Sequence, residues 1–557
     1  MKFSQMEYKR IEVEPTKEKL AQLLNTLKSA DSADAAFAAY KEIDDFGKYV
    51  GTMFALGYIR HTLDTNDEFY DGENDFLDEI GPEFEPYWQD ITKALLESPY
   101  RTEMEATWGT LMFDKAEMDL KTFHPDIVED LQLENKLGTE YDKLIASAII
   151  KFDSKQLTLE EMVPYYEVPD RNKRKAAMDA VSSWFIKNAD ELDRLFDELV
   201  RVRTKIAKTI GYDNFVELGY YRMERICYDR TKVEAFREGV VKYIVPITTK
   251  LKMEQAARIG VPTIKPHDNF FLHPDGNAKP TGTPGEIFTH GKKMYHEMSE
   301  DTAKFIDFMM ESELFDVLTR PGKSAGGYCY NIDLYNAPFI FANFNGTSGD
   351  IDVLTHEAGH AFAAYEARDI YPSDLQDYTA EVAEVHSMAM EFFAWPWMEG
   401  FFGNTADKYR KDHLAAALVF LPYGCMVDEY QHKIYEDPTM TPAERNAYWL
   451  TLEAKYRPYL DKEGNDFYSS GRFWQRQAHI YENPFYYIDY CLAQIAALSF
   501  WAESQKDYAA AWDKYRTLVK MAGTKPFSDL LTDAGLASPF VAENLKPIAD
   551  EAVKWLG

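Results

Sequence analysis

The sequence is poor in cysteine and in long apolar runs, and each shortage excludes a class of protein. Its four cysteines are widely spaced and include no C-x-x-C pair, so neither a disulfide framework nor a thiolate metal site is indicated. No run of about 18 apolar residues is present to span a membrane, and the N-terminal residues lack the apolar core of a secretory signal. We therefore expect a protein of the reducing cytoplasm.

Positive charge is also scarce. The net charge of −32 argues against nucleic acid or an anionic membrane as a partner, because both would be repelled. The charge would favour cationic substrates, although a contribution to solubility is the simpler interpretation. With 46 % hydrophobic residues among 557, the chain has enough apolar material for one large enzyme with lobes around a cleft, or for several domains. The sequence does not indicate an oligomeric state.

Most of the chain has the periodicity of helices that are buried on one side. Apolar residues recur at three- and four-residue steps over residues 16–165 and again over 169–259. A segment rich in proline and glycine, residues 261–285, then interrupts the pattern, which resumes over 286–315. Within the first block, the Thr158 to Glu161 segment has the form of a capping box that opens a short helix. The sequence therefore predicts a mainly α fold.

The convincing β pattern is confined to residues 328–332 and 338–344. Pro338 stands at the start of the second segment and lacks a backbone donor, which predicts an edge strand. An edge strand could bind an extended peptide by strand addition, and a purely structural hairpin is the alternative.

A short stretch after these strands matches the pattern H-E-x-x-H. On a helix, His356 and His360 share one face and can hold one metal ion. Glu357 is rotated off that line, so it is placed to hold and deprotonate a metal-bound water. The alternative is a pair of solvated histidines. Gly359 lowers helix stability by roughly 1 kcal/mol against alanine, which is tolerable if close packing requires it.

A catalytic zinc needs a third protein ligand and an open position. No histidine follows at metzincin spacing. The segment after the motif is predicted to be a helix with Glu381, Glu384 and Glu391 close to one face. The pattern alone leaves Glu381 and Glu384 both open as ligands, with a solvated acidic stripe as the alternative. Eight other histidines, His413 among them, lack ligand spacing, and we assign them ordinary surface or core roles. His386 is expected to point elsewhere on its helix than Glu384.

These segments together resemble the thimet oligopeptidase and oligoendopeptidase F family of zinc peptidases. The resemblance rests on the H-E-x-G-H motif, on Glu384-Val-His-Ser-Met-Ala-Met-Glu391, and on a histidine followed by a tyrosine cluster. It implies one Zn²⁺ per chain, held by His356, His360 and Glu384. Glu391 is then expected to support the ligands or to be structural. The departures are small: Ala358, for example, stands where the family usually has a larger residue.

The resemblance also assigns roles within the tyrosine cluster. It implies that His479, Tyr487 and Tyr490 face the substrate and stabilise the oxyanion, and a neutral tyrosine O–H suits a charge that appears only in the transition state. An aromatic core patch is the alternative for each tyrosine, because the chain contains 36 of them. We assign Tyr481 and Tyr486 to the core.

The family fold implies a two-lobed helical body around a deep channel that admits short peptides and excludes folded proteins, with a small β element beside the active-site helix. We expect an N-terminal helical lobe, residues 1–165, and a catalytic metallopeptidase region, residues 166–557. The expected function is a zinc-dependent oligoendopeptidase that cleaves internal bonds of short peptides, with Glu357 as general base and the peptide along residues 339–344. One alternative is a helical peptide-binding or scaffold protein with an inert or structural zinc site. A peptidase that trims from one end is another, and it would need a charged anchor for the terminus.

Overall fold

The computed structural model describes residues 1–557, and it is mainly α-helical as predicted. The helices of the N-terminal part are α1 (Val13–Lys28), α2 (Ala33–Leu63), α3 (Glu68–Leu96), α4 (Arg101–Trp108), α5 (Leu111–Asp119), α6 (Val128–Ala146) and α7 (Leu159–Met162). The next helices are α8 (Arg171–Lys187), α9 (Ala189–Ile210), α10 (Phe215–Arg222), α11 (Arg230–Tyr243), α12 (Val245–Ile259), α13 (Pro284–Met298) and α14 (Glu300–Glu311). The last are α15 (Gly349–Ala367), α16 (Ala380–Phe393), α17 (Met398–Phe402), α18 (Ala406–Glu436), α19 (Pro442–Tyr456), α20 (Asp466–Ser469), α21 (Ala478–Glu482), α22 (Tyr487–Ser504), α23 (Tyr508–Met521), α24 (Phe527–Asp533) and α25 (Ala542–Leu556). The strands are β1 (Ile150–Phe152), β2 (Lys155–Leu157), β3 (Phe315–Leu318), β4 (Tyr328–Ile332) and β5 (Ala337–Phe344).

The first helical block contains a short hairpin that the periodicity did not predict. Strands β1 and β2 pair in antiparallel register and are joined by two residues, Asp153 and Ser154, with φ of 51° and 61°. Two-residue hairpin turns need positive φ, which aspartate tolerates better than most residues. The predicted capping box follows directly, because the Thr158 side chain accepts from the Glu161 backbone and the Glu161 side chain accepts from the Thr158 backbone.

The second helical block ends where the sequence indicated. Helix α12 stops at Ile259, and Gly260 takes the left-handed conformation that closes many helices. Residues 261–285 are irregular up to the start of α13, apart from a single turn of 3-10 helix at Pro266–Asp268. The predicted change of character in this segment is therefore confirmed.

The three-stranded sheet corrects one prediction. Its order is β3-β5-β4, so β5 is the central strand, parallel to β3 and antiparallel to β4. Pro338 does not interrupt the pairing with β3, since that pairing begins at Ile340, beyond the proline. Both sides of β5 are thus occupied, and the prediction that a peptide lies along residues 339–344 is wrong. The edge without a partner strand next to the H-E-x-x-H helix belongs to β4.

The apolar core is continuous along the chain, from Met6 to Ala552. Strand β5 leads into α15, whose face against the sheet and against α16 is buried, and α16 in turn packs on α22. The N-terminal helices and the later part of the chain are therefore joined by shared buried side chains. None of the helices combines the length and the apolar composition needed to cross a bilayer.

Candidate metal centre and peptidase site

Two imidazoles from α15 and one carboxylate from α16 converge on a single point. One atom each of His356, His360 and Glu384 lies within 4.8 Å of the other two. Glu384 Oε2 is 3.2 Å from His356 Nε2 and 3.5 Å from His360 Nε2. No cysteine belongs to this group, so the set has three ligand atoms and no fourth from the protein. Three protein ligands with an open position are typical of catalytic zinc rather than structural zinc.

The close approach of α15 and α16 depends on Gly359. A Cβ atom at this position would lie 2.5 Å from Ser387 Cα and 2.6 Å from the carbonyl oxygen of His386. The glycine sits between the two histidines of α15 and faces the turn of α16 that follows Glu384. Close packing therefore requires the glycine, and this contact sets the distance between the candidate ligands on the two helices.

The electrostatics of the group favour a cation at its centre. Burial acts to lower the pKa of His356, but the carboxylates of Glu384 and Glu391 raise it well above its usual value. Burial acts to raise the pKa of Glu384, but His360 and His356 lower it below its usual range. Two imidazole nitrogens and one ionised carboxylate are a donor set that fits Zn²⁺.

Glu391 and His413 lie behind the candidate ligand His356. His356 donates from Nδ1 to Glu391 Oε1 (2.7 Å), and His413 donates from Nε2 to the other oxygen of Glu391 (2.7 Å). Trp395 donates to His413 Nδ1, which fixes the proton of His413 on Nε2. Carboxylates that accept from a ligand imidazole orient the ring and raise its basicity. The sequence anticipated a supporting role for Glu391, but it gave His413 an ordinary role, and no spacing connects these residues.

The structure also corrects the role assigned to Tyr486. The sequence assigned it to the core, yet its hydroxyl donates to Glu384 Oε1 at 2.5 Å. Ser387 donates to the other oxygen, Oε2, at 3.1 Å. The name ligand cluster is used below for the three candidate ligands, His356, His360 and Glu384, together with the supporting carboxylate of Glu391.

Glu381, the other candidate ligand from the sequence, lies outside the ligand cluster. It is 1 % exposed and accepts a hydrogen bond from Thr379 Oγ1 (2.9 Å). Burial, with the charge of Asp489 as a second cause, raises its pKa to about 8. A carboxyl in this environment is neutral at pH 7 and is not placed to bind a metal with the two histidines.

Glu357 has an oxygen without a protein partner. The residue is 5 % exposed, and its Oε2 is buried and forms no hydrogen bond. Burial raises the pKa of this carboxyl, while His356 and His360 act to lower it. Oε1 faces Gly327, where a Cβ atom would stand 3.3 Å away. A buried carboxyl with a free acceptor is poised to bind a small donor such as water.

His479, Tyr487 and Tyr490, called the donor cluster below, are brought together on α21 and α22. The His479 ring lies 5.0 Å from the Tyr487 ring and 5.6 Å from the Tyr490 ring, centroid to centroid. His479 Nε2 is 3.2 Å from the Tyr490 hydroxyl. Burial first, with Glu384 and Glu357 next, raises the pKa of Tyr490 well above its usual value, so the charges of both carboxylates reach this hydroxyl. The donor cluster therefore borders the ligand cluster.

A relay of side chains fixes the tautomer of His479. Tyr423 donates to Gln477 Oε1 (2.8 Å), and Gln477 Nε2 donates to His479 Nδ1 (3.0 Å). With Nδ1 accepting, the proton of the neutral ring sits on Nε2, on the side of Tyr490. Burial lowers the pKa of His479 to about 4, so the ring is neutral at pH 7. Gln477 was not anticipated, although its place two residues before His479 was visible in the sequence.

A cavity of about 880 Å³ lies between the N-terminal helices and the later part of the chain, and no residue of the ligand or donor cluster lines it. Its walls include Tyr58 from α2 and Asp142 from α6, and also Tyr328 and Tyr330 of β4. Pro484, which lies between α21 and α22, lines another side of the cavity. Side chains of β4, whose outer edge has no partner strand, therefore border this space.

Comparisons with known proteins agree with this architecture. Residues 165–549 match the model described as peptidase family M3, and residues 3–123 match that of the peptidase M3 N-terminal domain. Oligopeptidase PepF of Bacillus subtilis (strain 168) is 22 % identical over 556 residues, which cover 91 % of this chain and 78 % of PepF.

Solved structures resemble the chain over its full length. PZ peptidase A, in a structure with an inhibitor, is 48 % identical with a TM-score of 0.99, covering 100 % of this chain and 99 % of that one. A Bacillus anthracis (str. Ames) protein assigned as an oligoendopeptidase F is 46 % identical with a TM-score of 0.94, covering 100 % and 98 %. The chain therefore belongs to peptidase family M3, and it is a metallo-endopeptidase.

Proposed function

We propose that this chain is a zinc-dependent oligoendopeptidase that hydrolyses internal bonds of short peptides. The observation that carries the proposal is the convergence of His356, His360 and Glu384, with the free oxygen of Glu357 beside them. This combination supplies three metal ligands, an open side and a base, which a structural zinc site would not need. Membership of the M3 family supports peptide hydrolysis.

His356, His360 and Glu384 would hold one Zn²⁺. Bound zinc would act as a Lewis acid that polarises the scissile carbonyl and makes water easier to deprotonate. The chain prepares this site in two ways: Glu391 holds His356 with Nε2 turned inward, and Tyr486 and Ser387 hold the Glu384 carboxylate. The ligands therefore need little rearrangement on metal binding.

Glu357 would act as the general base. Its free Oε2 accepts a proton from the attacking water, and the carboxyl then passes that proton to the leaving amine. The same group must take and release a proton, and a carboxyl whose pKa is raised by burial does so more readily than an exposed one. Gly327 leaves room for this side chain where any larger residue would crowd it.

The donor cluster would stabilise the oxyanion of the tetrahedral intermediate. His479 donates from Nε2, since Gln477 occupies Nδ1, and Tyr490 donates from its hydroxyl. Tyr487 completes the cluster as a third neutral donor in our proposal. Neutral donors bind a charge that develops during the reaction more strongly than they bind the uncharged carbonyl.

The peptide would bind in extended form along the free edge of β4. This edge replaces the path first predicted along β5, and it lies between Gly327 beside Glu357 and the 880 Å³ cavity. Backbone hydrogen bonds to β4 would hold substrates of varied sequence. We also propose the division into an N-terminal lobe, residues 1–165, and a catalytic region, residues 166–557, which the ranges of the two family models support.

Cleavage of a mixed pool of short peptides and one folded protein tests the proposal, with products identified by mass spectrometry. We expect internal cuts in the short peptides alone, abolished by a chelator and restored by zinc. A zinc-loaded protein that binds the peptides but cleaves none would instead support the peptide-binding or scaffold alternative.

A further inference from the structure

Arg476 is a cation without an ion-pair partner close to the donor cluster. It lies on the 3-10 turn Phe473–Arg476, directly before the helix that carries His479. Its neighbours are paired: Arg457 binds Glu453, and Arg472 binds Asp193. Arg476 is exposed to solvent and forms no comparable pair. An exposed guanidinium without an ion-pair partner is available to bind an anion.

Two tyrosine hydroxyls near the guanidinium are available as hydrogen-bond donors. Tyr166 and Tyr468 are each 4 % exposed, and neither hydroxyl donates to a backbone or carboxylate oxygen of the protein. The Arg476 Cζ lies 5.5 Å from the ring centre of Phe473, which stacks on Tyr468 at 4.4 Å. Burial raises the pKa of both tyrosines, and the charge of Arg476 acts against that rise, so both rings lie within its field.

A short chain of rings connects Arg476 to the donor cluster. The Phe473 ring lies 6.2 Å from that of Tyr423, and Tyr423 lies 5.8 Å from Tyr487. Tyr423 also bonds Gln477, the residue that follows Arg476 and binds His479. The guanidinium is therefore within a few side chains of the proposed oxyanion donors.

The charge balance around Arg476 favours an incoming anion. Glu160 is the carboxyl whose field reaches it, and burial raises the pKa of Glu160 although Arg476 opposes this rise. The two form no ion pair, so no protein carboxylate occupies the guanidinium. The Tyr468 hydroxyl is close enough to accept one of its hydrogen bonds, and the other donors are available. A carboxylate fits the planar fork of arginine with two parallel hydrogen bonds, and phenol hydroxyls can add further donors.

We propose that Arg476, with the hydroxyls of Tyr166 and Tyr468, forms a subsite for a carboxylate of the bound peptide. The free C-terminal carboxylate of a short peptide is the first source, and an aspartate or glutamate side chain of the peptide is the second. This inference rests on the proposed oligopeptidase function. It supplies a physical basis for a length preference, since the carboxylate of a peptide reaches Arg476 only when a certain number of residues follows the cleaved bond.

The test uses pairs of peptides that are identical except for a free carboxylate or an amide at the C-terminus. Each pair carries between one and five residues after the cleaved bond, and a third series carries an amide with an internal aspartate. The zinc-loaded wild type is compared with Arg476→Gln, Arg476→Lys and Arg201→Gln. Arg201 is an exposed residue of α9 that forms no ion pair, so it controls for loss of a positive charge.

We expect the wild type to favour the free carboxylate by about 10- to 100-fold in kcat/KM at one or two peptide lengths, as for loss of one charge-assisted contact. In Arg476→Gln this ratio should fall to about one, mainly through KM of the carboxylate peptide, and Arg476→Lys should restore part of it. Arg201→Gln should keep the wild-type ratio. If the aspartate series shows the same discrimination, a side chain can also supply the carboxylate.

The outcomes separate this inference from the proposed function. Equal cleavage of acid and amide at every length by the wild type would refute the carboxylate subsite while leaving the oligopeptidase proposal intact. Equal losses for both peptides in Arg476→Gln would make Arg476 a structural residue and refute the subsite as well. No cleavage of either peptide by zinc-loaded wild type would refute the proposed function. Binding of the same peptides to Glu357→Gln, measured by fluorescence anisotropy, then tests the subsite without turnover.

Discussion

The ligand cluster and the donor cluster lie side by side, yet their electrostatics are opposite. In the ligand cluster, imidazoles and carboxylates face one another, the pKa of His356 is raised and that of Glu384 is lowered. In the donor cluster, burial holds His479 neutral with a pKa of about 4, and its partners are tyrosine hydroxyls. One cluster is charged in the resting protein, and the other is neutral.

Under the proposed function, the difference follows from what each cluster would stabilise. A metal ion carries a permanent charge, so permanent anionic and imidazole partners suit it. The oxyanion exists only during the reaction, and a neutral donor stabilises it without binding an unreacted anion in its place. Of the two clusters, only the one proposed to bind the ion is therefore charged in the resting protein.

Removal of the base between the clusters should have the largest effect. We expect Glu357→Gln to keep its zinc but to lose kcat/KM by about 10³-fold or more, because the attacking water loses its proton acceptor. Turnover and zinc content are measured together, with Glu366→Gln on the same helix as the control. Retained turnover would overturn the role of Glu357.

Loss of one donor should be the next largest effect. Tyr490→Phe removes a hydroxyl from the donor cluster and should lower kcat by about 100-fold, more than it raises KM, because the bond forms in the transition state. Zinc affinity should stay at the wild-type value. Steady-state kinetics with one peptide measure kcat and KM. An unchanged kcat would mean that Tyr490 has only a structural role in the aromatic core.

Weakening the support of the ligand cluster should produce the opposite pattern. Glu391→Gln removes the charge that orients His356, and we expect zinc affinity to fall by about 10- to 100-fold. Excess zinc should restore most of the activity. Competition with a chelator measures the zinc affinity. A lower kcat with unchanged zinc affinity would contradict the supporting role of Glu391, because that pattern is expected only for the donor cluster.

The smallest effect concerns protonation in the metal-free protein. The pKa of His479 is lowered from 6.5 to about 4, so the folded protein binds this proton less readily than the unfolded chain between these values. Stability should therefore fall as pH is lowered through this window. Side-chain nitrogen NMR should show His479 neutral with its proton on Nε2 at pH 5. In Gln477→Glu, a carboxylate beside Nδ1 should raise the pKa of His479, and a ring protonated at pH 5 in the wild type would contradict the assignment.

The sequence could single out the centre of the candidate site because its signals are local. His356, Glu357 and His360 stand on one helix, and helical periodicity alone places them. The choice of Glu384 over Glu381 needed the family resemblance, since both lie on the same helix. The structure adds a physical reason: Glu381 accepts from Thr379 in the interior and is not part of the group of three.

Long-range contacts account for what the sequence did not predict. His413 and Tyr486 reach the ligand cluster from α18 and from the residue just before α22, and nothing in their spacing connects them to the motif. The prediction that β5 is an edge strand failed because the sequence does not reveal β3. This strand is only four residues long and begins where the helical pattern of the preceding segment ends, so its pairing with β5 could not be predicted. Arg476 gave no signal, because the absence of an ion pair is a property of the folded chain.

The contact at Gly359 also bears on metal selectivity. The backbones of α15 and α16 touch where a single Cβ atom would already be 2.5 Å from its neighbour. The helices cannot move closer together, and the continuous core behind them resists separation. Ca²⁺ takes six to eight oxygen ligands at about 2.3–2.6 Å, which two imidazoles and one carboxylate on locked backbones cannot supply. In the proposed zinc site, discrimination against such ions would thus be built into the packing of two helices, and a change of metal preference would require moving a backbone as well as exchanging a ligand.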